Sequence, residues 1–109
     1  MKCFVNTYNE IEGFHQWKDA PEWCSYLQNR HRHLFVIRCS FEVTDKDREL
    51  EINRQQAEIE DFLLKKYGKP MELGGMSCEM IAEVLLNHFE QMSIATVMED
   101  GYGGATLSK

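Results

Sequence analysis

Between Leu34 and Val43 the chain alternates over most of its length. Phe35, Ile37, Cys39, Phe41 and Val43 share one parity, and Arg38, Ser40 and Glu42 take the other. Side chains of a strand point alternately to its two faces, so this segment predicts a half-buried β-strand. Lys2 to Phe14 is rich in Val, Thr, Tyr, Phe and Ile, which also suits a strand. Between them, Gln16 to Asn29 is irregular and contains Pro21, one of only two prolines. Thr44-Asp45-Lys46-Asp47 reads as a charged turn, and Glu49 to Ile52 as a short extension of the sheet.

The period then changes. Over Arg54 to Tyr67, Ile59, Phe62, Leu63 and Tyr67 recur at helical spacing, and Gly68 and Pro70 end the helix. A second helix runs from Ser77 to about Gln91. Ser77 is its N-cap, Glu79 lies in its first turn, and Ile81, Val84, Leu85, Phe89 and Met92 form its apolar stripe. Ile94 to Glu99 reads as a strand, Asp100 to Gly104 as a hairpin turn, and Ala105 to Ser108 as the return strand. The order ββααββ predicts one α+β domain over residues 1–109: a four-stranded antiparallel sheet with two helices on one face. Such a sheet has exposed edges and a bare second face, which self-association would cover.

Composition narrows the class. Hydrophobic residues make up 43% and charged residues 28% of the 109-residue chain, which excludes disorder and low-complexity scaffolds. A net charge of −6 argues against general binding to nucleic acid or anionic membranes. No apolar run reaches the roughly 18–20 residues that span a bilayer. Met1 to Glu12 lacks the basic and apolar regions of a signal peptide. Cys3, Cys24, Cys39 and Cys78 are widely spaced and form no CxxC pair. Reduced thiols and a cytoplasmic location are therefore expected.

The histidines carry the candidate chemistry. His31 and His33 project from the same face of a strand, roughly 6.5–7 Å apart along it. His15 ends the preceding strand. If those two strands form a hairpin, the three imidazoles converge on one ion. Three neutral nitrogens with one open position is the donor set of a catalytic or ligand-binding zinc, and imidazole favours Zn2+ over harder ions. Against this, an isolated His-x-His on a strand is more often no metal site. His88, on the second helix, is read as a surface or partly buried histidine.

The arrangement resembles a known family. Ile11-Glu12-Gly13-Phe14-His15, followed after fifteen residues by His31-Arg32-His33-Leu34-Phe35-Val36, is similar to the zinc signature of the 6-pyruvoyltetrahydropterin synthase and 6-carboxytetrahydropterin synthase family. Met76-Ser77-Cys78-Glu79-Met80-Ile81-Ala82 resembles the start of that family's second helix, and Val97-Met98-Glu99 its penultimate strand. The resemblance spans nearly the whole chain in order. It implies the tunnelling fold, zinc on His15, His31 and His33, and Glu99 as the carboxylate that anchors a pterin ring. A carboxylate suits that task because it accepts two parallel N–H bonds from an amidine-like edge. The resemblance also implies a homo-oligomer with its sites at subunit interfaces.

The departures concern proton transfer. Leu27 stands where the family has its basic cysteine, four residues before the first histidine of His-x-His. Cys24, three residues further back, is the remaining candidate base, set against a plain loop or core cysteine. The connection from Gly68 to Met76 holds neither Asp nor His, so the family's Asp-His pair is missing, and Asn53 stands where an aspartate usually precedes the first helix. Arg32 replaces a glycine and has the opposite parity to the histidines. The expected function is a zinc-binding protein that holds a pterin- or purine-type heterocycle, with altered or lost lyase chemistry. Two alternatives stay open. One is an active zinc-dependent lyase acting on dihydroneopterin triphosphate, with Cys24 or zinc-bound water as base. The other is a non-catalytic module that sequesters a nucleotide or binds a protein, with the Gly101, Gly103 and Gly104 tip as a contact.

Overall fold

A computed structural model describes residues 1–109 in full. Five strands, β1 (Cys3–His15), β2 (His31–Val43), β3 (Met71–Glu72), β4 (Met92–Glu99) and β5 (Gly103–Ser108), form one sheet in the order β3-β1-β2-β4-β5. The two α-helices are α1 (Ile52–Tyr67) and α2 (Cys78–His88), and a 3-10 segment, Glu22–Gln28, lies between β1 and β2.

The α+β class holds, and the four-stranded antiparallel ββααββ order is corrected. Met71 and Glu72 pair parallel to Gly13 and Phe14 of β1, which makes the sheet five-stranded and mixed. Two residues are too few to show a period, so this strand has no sequence signature. It forms because the outer edge of β1 offers unpaired backbone groups, and because Met71 is fully buried there. The 3-10 segment fills the stretch expected to be irregular.

Glu49 to Ile52 does not extend the sheet. The Glu51 carboxylate accepts hydrogen bonds from the Asn53 and Arg54 N–H groups at 2.9 and 3.1 Å and caps α1, which therefore starts two residues early, at Ile52. The Glu49 carboxylate ties the turn before it, accepting from the Thr44 and Asp45 N–H groups at 3.0 Å each. Ser77 caps α2, accepting from the Met80 N–H at 3.2 Å. That helix ends at His88, before the expected Gln91, and the chain re-enters the sheet at Met92.

The inward parity of β2 is kept, although Val36 on the other face is buried too. Phe35, Ile37, Cys39, Phe41 and Val43 are all buried. The first four join Ile59 and Leu63 of α1 and Ile81 and Leu85 of α2 around one core, with α1 over β1 and β3 and α2 over β4 and β5. Both helices thus cover the same face. The opposite face stays open, with Phe4 and Tyr8 exposed and Arg32 paired to Glu12. No helix is long and apolar enough to cross a membrane.

Candidate metal centre

The pairing register of β1 and β2 builds the site. His15 lies directly opposite His31, and Gly13 opposite His33. Because His31 and His33 share a parity, all three imidazoles emerge at one end of the helix-covered face. Ring centroids are 4.6 Å apart for His15 and His31, 5.1 Å for His15 and His33, and 4.9 Å for His31 and His33. One ring nitrogen from each lies within 4.8 Å of the other two. Phe35 underlies the cluster, its ring edge-on to His15 and His33 at 5.4 and 5.7 Å. Gly13 allows that packing, since a Cβ there would sit 3.1 Å from the Phe35 ring.

Each histidine is oriented through Nδ1. His15 Nδ1 lies 2.8 Å from the Met76 carbonyl, His31 Nδ1 2.8 Å from the Asn29 carbonyl, and His33 Nδ1 2.6 Å from Asp100 Oδ2. Carbonyl and carboxylate oxygens accept, so each Nδ1 donates its proton and each Nε2 keeps a lone pair. This is the arrangement that prepares imidazoles to ligate a metal, with the outer partner fixing tautomer and ring angle. His15 Nε2 and His33 Nε2 are buried and have no hydrogen-bond partner.

Glu99 closes the cluster. It lies beside Phe35 on the β2–β4 ladder, which brings it to the same face. Its Oε2 is 3.0 Å from His15 Nε2 and 3.5 Å from His33 Nε2, in ion contact without hydrogen-bond geometry. The carboxylate beside it holds the His15 pKa above its ordinary value, against the opposing effect of burial, and the Met76 carbonyl adds to the rise. In turn His15, then the charges of His33 and His31, hold Glu99 below the usual carboxylate range. Asp100 is also held low, chiefly by the Leu34 N–H that it accepts at 2.8 Å and next by His33.

The cluster opens on a cavity of about 490 Å³. His15, His31 and Glu99 line it together with Trp17, Leu27 and Met76, and no lysine or arginine does so. Cys78 and Glu79 reach it from the start of α2. Burial, then the Glu99 and Glu79 charges, push the Cys78 thiol up to about 12, so it stays protonated at neutral pH.

The structure therefore brings His15, His31, His33 and Glu99 together. It places Cys24 elsewhere: that residue is 1% exposed in the 3-10 segment and does not line the cavity. Leu27 does line it. His88 lies outside the site, stacked on Phe62 with ring centroids 3.8 Å apart. Sequence reasoning missed Asp100, the Met76 carbonyl and Cys78. In the sequence Asp100 reads as part of a hairpin turn, and its φ of 55° does suit an Asp-Gly turn. The carbonyl role of Met76 has no side-chain signal. In the sequence Cys78 signals only the start of a helix.

The fold and site define an α+β protein with a three-histidine candidate metal centre at one end of its sheet. In comparisons with known proteins, no family model matches the chain and no curated protein does.

Proposed function

We propose that this protein binds zinc through His15, His31 and His33 and holds a flat pterin- or purine-type heterocycle in the adjoining cavity. One observation carries the reading: three imidazoles converge, and each has its Nδ1 committed to an oxygen acceptor, which leaves Nε2 for an ion. The donor set fits zinc, a borderline-soft ion that takes imidazole nitrogen at about 2.0–2.1 Å. Zinc bound there supplies Lewis-acid polarisation to an oxygen of the ligand.

The resemblance to the 6-pyruvoyl- and 6-carboxytetrahydropterin synthases suggests the ligand class and the tunnelling fold. The residues around the cavity favour altered or lost lyase chemistry. Proton abstraction needs a positioned base with a tuned pKa. Leu27 presents an apolar side chain to the cavity, Cys24 is buried away from it, and the Cys78 thiol holds its proton. The uncovered outer edge of β5 and the open sheet face of Phe4 and Tyr8 support self-association, as the resemblance implies.

Elemental analysis of the purified protein tests the metal, and titration with a pterin tests the ligand. About one zinc per chain and saturable pterin binding are expected. Protein that cannot be loaded with zinc refutes the metal reading. Turnover of dihydroneopterin triphosphate by zinc-loaded protein, lost in His33→Ala, refutes the loss of lyase activity.

A further inference from the structure

We propose that Glu99 is itself a ligand of the metal, completing a three-histidine, one-carboxylate shell through Oε2. This deepens the metal-binding reading above and rests on it.

The first argument is distance. Zinc bonds to nitrogen and carboxylate oxygen are about 2.0–2.2 Å, so neighbouring donors of a tetrahedral shell lie roughly 3.3–3.5 Å apart. The Glu99 Oε2 distances of 3.0 Å to His15 Nε2 and 3.5 Å to His33 Nε2 bracket that edge. The second is lone-pair chemistry. With Nδ1 donating, His15 Nε2 and His33 Nε2 are acceptors, and a carboxylate oxygen is an acceptor too. Acceptors face one another at such distances only with a positive charge between them, a proton on Nε2 in the metal-free fold and the ion in the loaded one. The third is the absence of any competitor for the carboxylate. No lysine or arginine lines the cavity, and both buried Nε2 atoms lack another partner. The shell is then full without water. A heterocycle that takes its N–H contacts from Glu99 has to draw the carboxylate off the ion, so ligand and metal compete for one side chain.

The test uses the full chain with Co2+ in place of zinc, read by its visible absorption, in wild type, Glu99→Gln and Glu99→Ala. Azide probes for an open position. Both variants are expected to bind Co2+ roughly ten- to a hundredfold more weakly, a loss in the range seen when metal-site partners are removed. Azide is expected to change their spectra and leave that of the wild type unchanged. A wild-type spectrum that responds to azide as the variants do, or equal Co2+ affinities, overturns the assignment while leaving the metal site standing. The azide response of the wild type decides the matter even if neither variant folds. Wild-type protein that binds no Co2+ overturns the metal reading and this assignment together.

Discussion

His33 and Asp100 are coupled across the β2–β4 edge. Asp100 Oδ2 lies 2.6 Å from His33 Nδ1, while its Oδ1 accepts the Leu34 N–H at 2.8 Å. One carboxylate thus fixes both the imidazole and the strand that carries it. Asp100→Asn keeps a side chain tolerant of the positive φ but removes the charge. We expect it to lower zinc affinity by roughly tenfold, read by competition with a chromophoric chelator. Unchanged affinity would show that Asp100 serves the turn alone.

The histidines should separate cleanly. His33→Ala is expected to abolish stoichiometric zinc. His88→Ala should leave it untouched, because His88 stacks on Phe62 outside the site. Metal content by elemental analysis decides both. Zinc lost equally from the two variants would place the site elsewhere.

Zinc should oppose the pH dependence of stability of the metal-free protein. His15 has a raised pKa in the metal-free fold, so its contribution is complete below its ordinary 6.5 and is lost as pH rises through the raised value. Glu99 has a lowered pKa, so its contribution is present above 4.5 and is lost as pH falls through the lowered value. The pair therefore stabilises metal-free protein most between those limits. Ligation needs neutral imidazoles, so the stabilisation added by zinc grows with pH over the range where the pair weakens. Between about pH 6 and about pH 8 the melting temperature with chelator should fall, and the increment from zinc should grow. An increment that shrinks with pH contradicts histidine ligation.

Gly104 permits the closest approach in the hairpin. A Cβ there would lie 1.9 Å from the Val97 carbonyl oxygen and 2.6 Å from the Met98 Cα, both backbone atoms. Gly104→Ala is expected to cost about 2 kcal/mol or more in urea unfolding, because β5 must shift as a unit. A cost near zero would mean that β5 does not hold this register in solution.

Cys24 gives the opposite contrast. At 1% exposed it is a packing residue. Cys24→Ala should cost roughly 1–2 kcal/mol and leave zinc and pterin affinities unchanged in calorimetric titration. Loss of pterin binding at full stability would return Cys24 to the site.

The elements were legible where periodicity is long. Thirteen residues of β2 and sixteen of α1 repeat often enough to declare their period and buried face. The two-residue β3 and the Glu51 cap were not legible, because one needs a neighbouring edge and the other only the backbone. His31 and His33 were fixed by their own spacing, since i and i+2 share a face whatever surrounds them.

Local order thus determined the four longer strands, the two α-helices and the parity of the histidines. Only tertiary pairing decided that His15 falls opposite His31, because register depends on contacts between distant segments. The same long-range pairing set Asp100 behind His33, the Met76 carbonyl behind His15, and Glu99 against the Nε2 atoms. These partners lie 67, 61 and 84 residues from the histidines that they meet, reading Glu99 against His15, and no local pattern reaches so far.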